Sequence, residues 1–197
     1  MYRFFKAIFH FVFWFFCKWE VEGRENMPPK GPVVVMANHV SLWDPMALAV
    51  PFDRKIYYMA KEELFSYPVF GTILRRLGAF PVKRGNLDRA ALRNAMGVLR
   101  GDEVLGIFPE GERSPTGELQ EFKPGALSLA IKCNAMILPV GLVGTRKIFS
   151  GGWFRPFKVN IGKPIDPKKL MGGDGKGMDQ EGLTEKVWEE IARLSRN

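Results

Sequence analysis

The sequence predicts a single α/β domain in which a mixed, twisted β-sheet is flanked by helices. Three observations support this prediction. Short apolar runs that are typical of buried strands alternate with segments whose apolar residues recur at helical spacing. The length of 197 residues suits one domain with a substantial core. No internal repeat or linker divides the chain, so residues 20–197 are predicted to form one domain after a separate N-terminal helix over residues 1–19.

Aromatic side chains dominate the first nineteen residues. Arg3, Lys6, His10 and Cys17 recur at intervals of three, four and seven residues, so on a helix they form one narrow polar stripe. The apolar part of about 14 residues is short for a transmembrane span, and no cleavage site indicates a signal peptide. The pattern favours an amphipathic helix lying in one membrane leaflet, with Arg3, Lys6 and Lys18 near the headgroups. The alternative is a helix packed on the protein's own core.

The next apolar run, Val33–Ala37, is bounded by Gly and Pro and predicts a buried strand. His39 follows it, at the strand end where open α/β sheets place their chemistry. Asp44 and Pro45 predict the start of a helix, with Pro45 at its first position. The turn between them can fold the Asp44 carboxylate onto the His39 imidazole. That contact would fix the tautomer and leave the other ring nitrogen free as a base.

Both residues also have simpler interpretations. Asp44 suits the N-cap of the helix, and His39 could be a packed loop residue. Ser41 lies only two residues from His39, a separation that rarely allows a serine nucleophile to reach its base. We interpret it as a turn residue with a local backbone hydrogen bond.

The remaining elements follow from further apolar patterns. Strands are predicted at the start of residues 20–30 and over residues 55–60, 79–82, 104–108, 135–143 and 157–161. Helical spacing predicts helices around Leu92, Ala95, Met96 and Leu99, with Asp88 or Asn86 as the cap, and around Leu183, Val187, Ile191 and Leu194. A mostly small and apolar segment predicts another short helix, into which residues 122–125 lead and which runs through Lys132. Three interruptions are expected: Pro68 and Gly71 within residues 61–77, Pro139 and Gly141 within residues 135–143, and a mobile loop over residues 166–182.

The chain carries 29 Lys and Arg against 21 Asp and Glu, a net charge of +8. Such an excess indicates an anionic partner: a phosphorylated ligand, an anionic lipid surface, an acidic protein or a nucleic acid. Because the aromatic residues cluster in one helix rather than alternating with cations, nucleic acid is disfavoured. Cys17 and Cys133 lack metal-type spacing, so no metal site is expected and a reducing compartment is favoured.

Two loops carry residues suited to an anion. Lys83 and Arg84 precede a glycine at a predicted strand end. Arg113, if buried, could bind two phosphate oxygens through its planar guanidinium, with Glu110 orienting it. The alternatives are a solvated basic turn and an exposed Glu–Arg pair of little energetic consequence.

Together these stretches resemble the glycerolipid acyltransferase family, specifically the 1-acylglycerol-3-phosphate (lysophosphatidic acid) acyltransferases. Residues 38–44 match the NHxSxxD pattern, and residues 78–84 resemble a second block that ends in an arginine. Residues 108–114 resemble the FPEGTRS block, residues 137–140 a proline-centred block, and residues 59–64 another family segment. Four motifs in order are specific, although each alone is weak. The chain departs from the pattern at Glu112, where Thr is usual.

The resemblance implies an acyltransferase-like fold and direct acyl transfer without a cofactor. His39, oriented by Asp44, would take the proton of the sn-2 hydroxyl of lysophosphatidic acid, and the oxygen would attack the thioester of acyl-CoA or acyl-carrier protein. It also implies which residues serve the acceptor phosphate: Arg84 and Arg113 as ligands, Glu110 and Gly111 as residues that shape the loop, and Lys83 and Lys123 as weaker candidates. The enzyme would lie peripherally on the cytoplasmic face of a membrane with anionic lipids.

Three alternatives remain at this point. A related acceptor, such as glycerol-3-phosphate or another lysolipid, would use the same chemistry. A thioesterase could use His39 and Asp44 to activate water. A non-catalytic basic module could bind membranes or nucleic acid through the same charges.

Overall fold

The computed structural model describes residues 1–83, 88–123, 125–172 and 177–196. The strands are β1 (Glu20–Glu22), β2 (Val33–Ala37), β3 (Ile56–Lys61), β4 (Ala79–Val82), β5 (Val104–Ile107), β6 (Met136–Val143), β7 (Phe149–Ser150), β8 (Trp153–Phe154) and β9 (Lys158–Ile161). The helices are α1 (Tyr2–Cys17), α2 (Asp44–Ala49), α3 (Pro68–Leu77), α4 (Arg89–Arg100), α5 (Gly125–Lys132), α6 (Pro167–Met171) and α7 (Gln180–Leu194).

The sheet has the order β1-β9-β6-β2-β5-β3-β4 over the described residues. Neighbouring strands are parallel except β6 and β9, which are antiparallel, so the predicted mixed sheet is confirmed. All five residues of β2 are buried. A strand covered on both faces needs apolar residues at every position, which explains the unbroken run Val33–Ala37. The carboxyl ends of β2, β5 and β6 meet at one edge, where the motif loops lie.

Helices cover both faces of the sheet, as predicted. One face packs against α1 and α2 through buried side chains that include Phe13, Cys17 and Leu48. The other face packs against α4, α5 and α7, with Leu99, Leu127 and the predicted apolar face of α7 in its core. This three-layer arrangement leaves the strand ends free to carry loops.

The expected interruptions were wrong at three places. Gly71 lies inside α3 without interrupting it, whereas Pro68 does separate α3 from the preceding 3₁₀ helix Glu62–Phe65 and begins α3, because the N–H group that proline lacks would have no intrahelical partner in the first turn. Pro139 and Gly141 lie inside the continuous strand β6. Residues 166–182 include α6 and the start of α7, and an aspartate side chain caps each helix. The Asp166 side chain accepts two backbone N–H groups of α6, and the Asp179 side chain accepts one of α7. Residues 173–176 of that predicted loop lie outside the described residues.

Only one side of helix α1 packs against the core. Phe13 and Cys17 are fully buried, whereas Phe4, Phe11 and Phe15 on the opposite side are 53–65% exposed. The predicted position of Lys6 near headgroups was wrong: its ammonium contacts the Phe52 carbonyl oxygen and lies 3.8 Å from Asp53 Oδ1. Within the described ranges, no helix has the length and apolarity needed to cross a membrane.

Gly141 is a close contact point between β6 and α7. A Cβ at this position would lie 2.2 Å from the carbonyl carbon of Leu194, a backbone atom that cannot yield locally. We therefore expect Gly141→Ala to destabilise the protein by about 1–3 kcal/mol, because α7 must shift off the sheet. Urea denaturation measures the loss.

Gly97→Ala in α4 is the matched control for this substitution. A Cβ there meets no heavy atom within 4 Å, so the exposed alanine should stabilise the helix by about 1 kcal/mol. Equal effects of the two substitutions would contradict the close packing of α7 on Gly141.

Candidate active site

The loop between β2 and α2 brings His39 and Asp44 together. His39 Nδ1 lies 2.8 Å from Asp44 Oδ2. The carboxylate is fully buried, and the imidazole side chain is 13% exposed. The predicted pairing of the two side chains is therefore present in the structure.

Asp44 Oδ2 also organises the loop backbone. It accepts hydrogen bonds from the N–H groups of Val40 and Ser41, both at 2.7 Å. A carboxylate oxygen that already accepts two N–H donors can only be an acceptor for a third, so Nδ1 of His39 carries the proton. The ring is consequently the Nδ1–H tautomer with Nε2 unprotonated while neutral, which is the form of a general base.

The alternative interpretation of Asp44 as the N-cap of α2 was wrong, because Trp43 holds that position. Asp44 is the first residue of that helix, and its Oδ1 atom is buried without a hydrogen-bond partner among the described residues. Ser41 behaves as predicted for a turn residue: its Oγ accepts the N–H of Trp43 at 3.2 Å.

Asn38 fixes the start of the loop to the neighbouring strand. Its side-chain amide donates to the Leu142 carbonyl at 2.9 Å, and its Oδ1 accepts the Leu142 N–H at 2.7 Å. This pair continues the β2–β6 hydrogen-bonding pattern one residue beyond β2. Sequence reasoning gave Asn38 no role, although its place directly before His39 was the available signal.

The loop after β5 holds the His39 backbone from both sides. Glu110 Oε1 accepts the His39 N–H at 2.6 Å, and Glu110 Oε2 accepts the Gln120 N–H at 3.0 Å. The Ser114 N–H donates to the His39 carbonyl at 2.8 Å. Burial raises the pKa of the Glu110 carboxyl, and the two backbone N–H donors oppose that increase. Glu110 thus shapes the loop from inside and does not orient Arg113.

Phe108 provides the surface on which the His39 imidazole lies. The two rings are stacked, with centroids 4.1 Å apart and an interplanar angle of 19°. The stack and the Asp44 hydrogen bond together fix both the plane and the rotation of the His39 ring. Phe108 follows β5 rather than belonging to it as predicted, and the strand pattern gave no sign of this contact.

The residues predicted to bind phosphate do not all lie near His39. Arg113 is exposed on the loop after β5 rather than buried. The same loop brings Gly111 and Lys123 together: a Cβ on Gly111 would lie 3.3 Å from Lys123 Cγ, and Gly111 has a φ of +80°. Only glycine combines that φ with such a close approach at low cost.

Lys83, the other predicted phosphate residue that the structure describes, lies far from the His39 loop. Lys83 is exposed after β4, three strands from β2, which is about 14 Å at the usual strand spacing. Its Nζ lies 3.9 Å from Glu62 Oε1. The prediction for Arg84 falls outside the described residues.

A cavity of about 380 Å³ opens beside this loop. Its lining includes Asn38 and Val40, the two neighbours of His39, together with Leu142 and Arg146. Among the residues described, no group of three or more His, Cys, Asp or Glu side chains is arranged to hold a metal ion.

Comparisons with known proteins agree with the motifs. The model of the family described as Acyltransferase matches residues 18–143. The 1-acyl-sn-glycerol-3-phosphate acyltransferase of Borreliella burgdorferi is 35% identical over 131 residues, covering 66% of this chain and 52% of the relative. The enzyme of the same name from Bacillus subtilis is 32% identical over 150 residues, covering 74% of this chain and 73% of the relative.

The fold comparison extends over the whole described structure. The crystal structure of the 1-acyl-sn-glycerophosphate (LPA) acyltransferase PlsC from Thermotoga maritima matches with a TM-score of 0.77 and 32% identity, covering 98% of this chain and 75% of that one. The chain spans about half the length of some curated relatives, including 52% of the Borreliella protein. The family match covers more than half of this chain, and its motifs and fold agree with it, so the chain belongs to the Acyltransferase family.

Proposed function

We propose that the protein transfers a fatty acyl group from an acyl thioester to the sn-2 hydroxyl of 1-acyl-sn-glycerol-3-phosphate. The observation that carries this proposal is the 2.8 Å contact between His39 Nδ1 and Asp44 Oδ2. Both residues lie within the segment that matches the Acyltransferase family. Relatives whose names state this activity support the choice of acceptor. The product would be phosphatidic acid, a phospholipid precursor.

In this reaction Nε2 of His39 removes the proton from the acceptor hydroxyl. The oxygen then attacks the thioester carbonyl carbon and forms an ester as the carbon–sulfur bond breaks. The imidazolium gives its proton to the leaving thiolate, which restores the neutral base. Asp44 stabilises that imidazolium through Nδ1, and Phe108 keeps the ring in one plane. A base positioned in this way typically accelerates a reaction about 10²–10⁴-fold.

Arg113 and Lys123 are the proposed ligands of the acceptor phosphate. They lie on the loop that Glu110 and Ser114 attach to the His39 backbone, so a phosphate bound there stays in a fixed relation to the base. Arg84 remains a proposed ligand, and Lys83 is a weaker one because of its distance from β2. The neighbouring Glu112 is also exposed.

The exposed aromatic side of α1 is the proposed membrane contact. Six exposed residues on this helix are large and apolar: Phe4, Ile8, Phe11, Trp14, Phe15 and Phe16. The exposed Met1 precedes them. Because both acceptor and product are lipids, an enzyme held at the cytoplasmic surface of an anionic bilayer would meet them directly. The donor is acyl-CoA or acyl-carrier protein, since both present the same thioester.

His39→Ala should lower the rate of acyl transfer by about 10²–10⁴-fold, because no other group replaces the base. The assay follows thiol release from acyl-CoA and from acyl-carrier protein, with and without lysophosphatidic acid. Release that requires the acceptor distinguishes transfer from thioester hydrolysis.

The matched control is His10→Ala, which removes the other histidine of the chain from an exposed position on α1. It should leave the rate with a water-soluble short-chain acceptor unchanged. Activity of His39→Ala within threefold of the parent would refute the assignment, as would acceptor-independent thiol release at the same rate.

Arg113→Ala and Lys123→Ala should each raise the acceptor KM about tenfold, because a charge-assisted hydrogen bond to phosphate is lost. The KM for the thioester should change less than twofold. Steady-state kinetics with each substrate varied separately make the comparison. Arg100→Ala, an exposed arginine at the end of α4, is the control. Equal increases in both KM values would count against a phosphate site on this loop.

A further inference from the structure

A small hairpin formed by β7 and β8 stands outside the main sheet. Gly151 and Gly152 connect its strands with φ values of +64° and +78°, the conformation that a two-residue type I′ turn requires. The tip is apolar: Trp153 is 75% exposed and Phe149 is 56% exposed. A two-stranded hairpin has no core of its own, so folding alone does not account for these exposed rings.

The hairpin continues the exposed aromatic surface of α1. Phe11 stacks on Phe15 with centroids 5.6 Å apart, and Phe15 contacts Phe16 at 4.8 Å. Phe16 contacts Phe154 of β8 at 5.3 Å, and Phe154 contacts Phe149 at 5.3 Å. An unbroken series of ring contacts therefore leads from the exposed side of the helix to the hairpin.

The chain segments that form this surface contain cations and lack acidic residues. Lys18, Arg146, Lys147 and Arg155 are exposed beside it. The sequence contains no Asp or Glu among its first nineteen residues and none from position 122 to position 165. Exposed aromatic rings bordered by cations match the chemistry of an anionic bilayer surface, where rings lie at the headgroup level and cations meet phosphates.

We propose that the β7–β8 hairpin is a second membrane contact. Phe149 and Trp153 enter the headgroup region of an anionic bilayer, and Lys147 and Arg155 lie against lipid phosphates. The proposal builds on the membrane contact of α1 suggested above. A helix lying on a surface can roll about its axis, whereas a second contact fixes the rotation of the domain. The two contacts also bind as one unit, so each increases the effect of the other.

The test measures binding to phosphatidylcholine vesicles with and without phosphatidylglycerol, by flotation. Phe149→Ser/Trp153→Ser should lower the partition onto anionic vesicles about 10- to 100-fold. Phe11→Ser/Phe15→Ser on α1 should lower it similarly. Trp153→Phe should keep binding and lose part of the tryptophan quenching by brominated lipids. Because the hairpin lies outside the main sheet, the unfolding midpoint of the hairpin variant should stay at the parent value.

Two variants with the same change in charge test the role of the cations beside the hairpin. Lys147→Glu/Arg155→Glu should weaken binding to anionic vesicles about tenfold or more, because each substitution replaces an attraction to anionic lipid by a repulsion. Lys168→Glu/Lys169→Glu makes the same charge change on α6, on the opposite face of the sheet, and should have a much smaller effect.

Several outcomes would overturn the proposal. The first is an unchanged partition of the hairpin variant onto anionic vesicles, and the second is an equal loss of binding from the two charge-reversed variants. The third is that the parent is a dimer and the hairpin variant a monomer, because the exposed rings would then serve contact between two copies of the chain. Vesicle-free acyl transfer to a short-chain lysophosphatidate should be unchanged in the hairpin variant, and its loss would show that the hairpin serves the catalytic domain instead. If the parent protein itself lacks acyl transfer, the proposed function is wrong. The vesicle partition measurements still test whether the hairpin contacts the membrane.

Discussion

One carboxylate oxygen holds the candidate site together. Asp44 Oδ2 accepts the N–H groups of Val40 and Ser41 and the Nδ1–H of His39, all within 2.8 Å. The two backbone bonds fix the loop, and the third fixes the tautomer of the ring. Burial makes this arrangement rigid, since an ionised carboxylate in the interior requires such donors. The His39 ring, its orientation and the turn that presents it therefore depend on the same atom.

The rest of the fold supports that atom through two attachments. Asn38 binds the start of the loop to β6, and Glu110 with Ser114 binds the His39 backbone to the loop after β5. Both attachments arise because parallel strands β5, β2 and β6 end at one edge. The loop that carries His39 and the loop proposed to carry the phosphate site are consequently held together as one unit. A substitution in either loop is expected to affect the other.

The sequence allowed much of this to be predicted where a local pattern determines the structure. The unbroken run in β2, the spacing in α7 and the His39–Asp44 pair are all local, and all three predictions are confirmed. What was missed depends on contacts between distant residues. Phe108 and Glu110 reach His39 only after folding, and Gly141 sits within a strand because α7 packs against it. Likewise, Lys6 faces the protein because Phe52 and Asp53 lie beneath α1, which no helical pattern reveals.

The tautomer of His39 tests the central claim most directly. The chain has two histidines, so His10→Gln leaves a single imidazole for ¹⁵N NMR. At a pH where the ring is neutral, the account predicts a protonated Nδ1 with a strongly hydrogen-bonded proton and an unprotonated Nε2. In Asp44→Asn that Nδ1 proton signal should disappear. A neutral ring protonated at Nε2 in the parent would contradict the account, because no lone pair would then face the substrate.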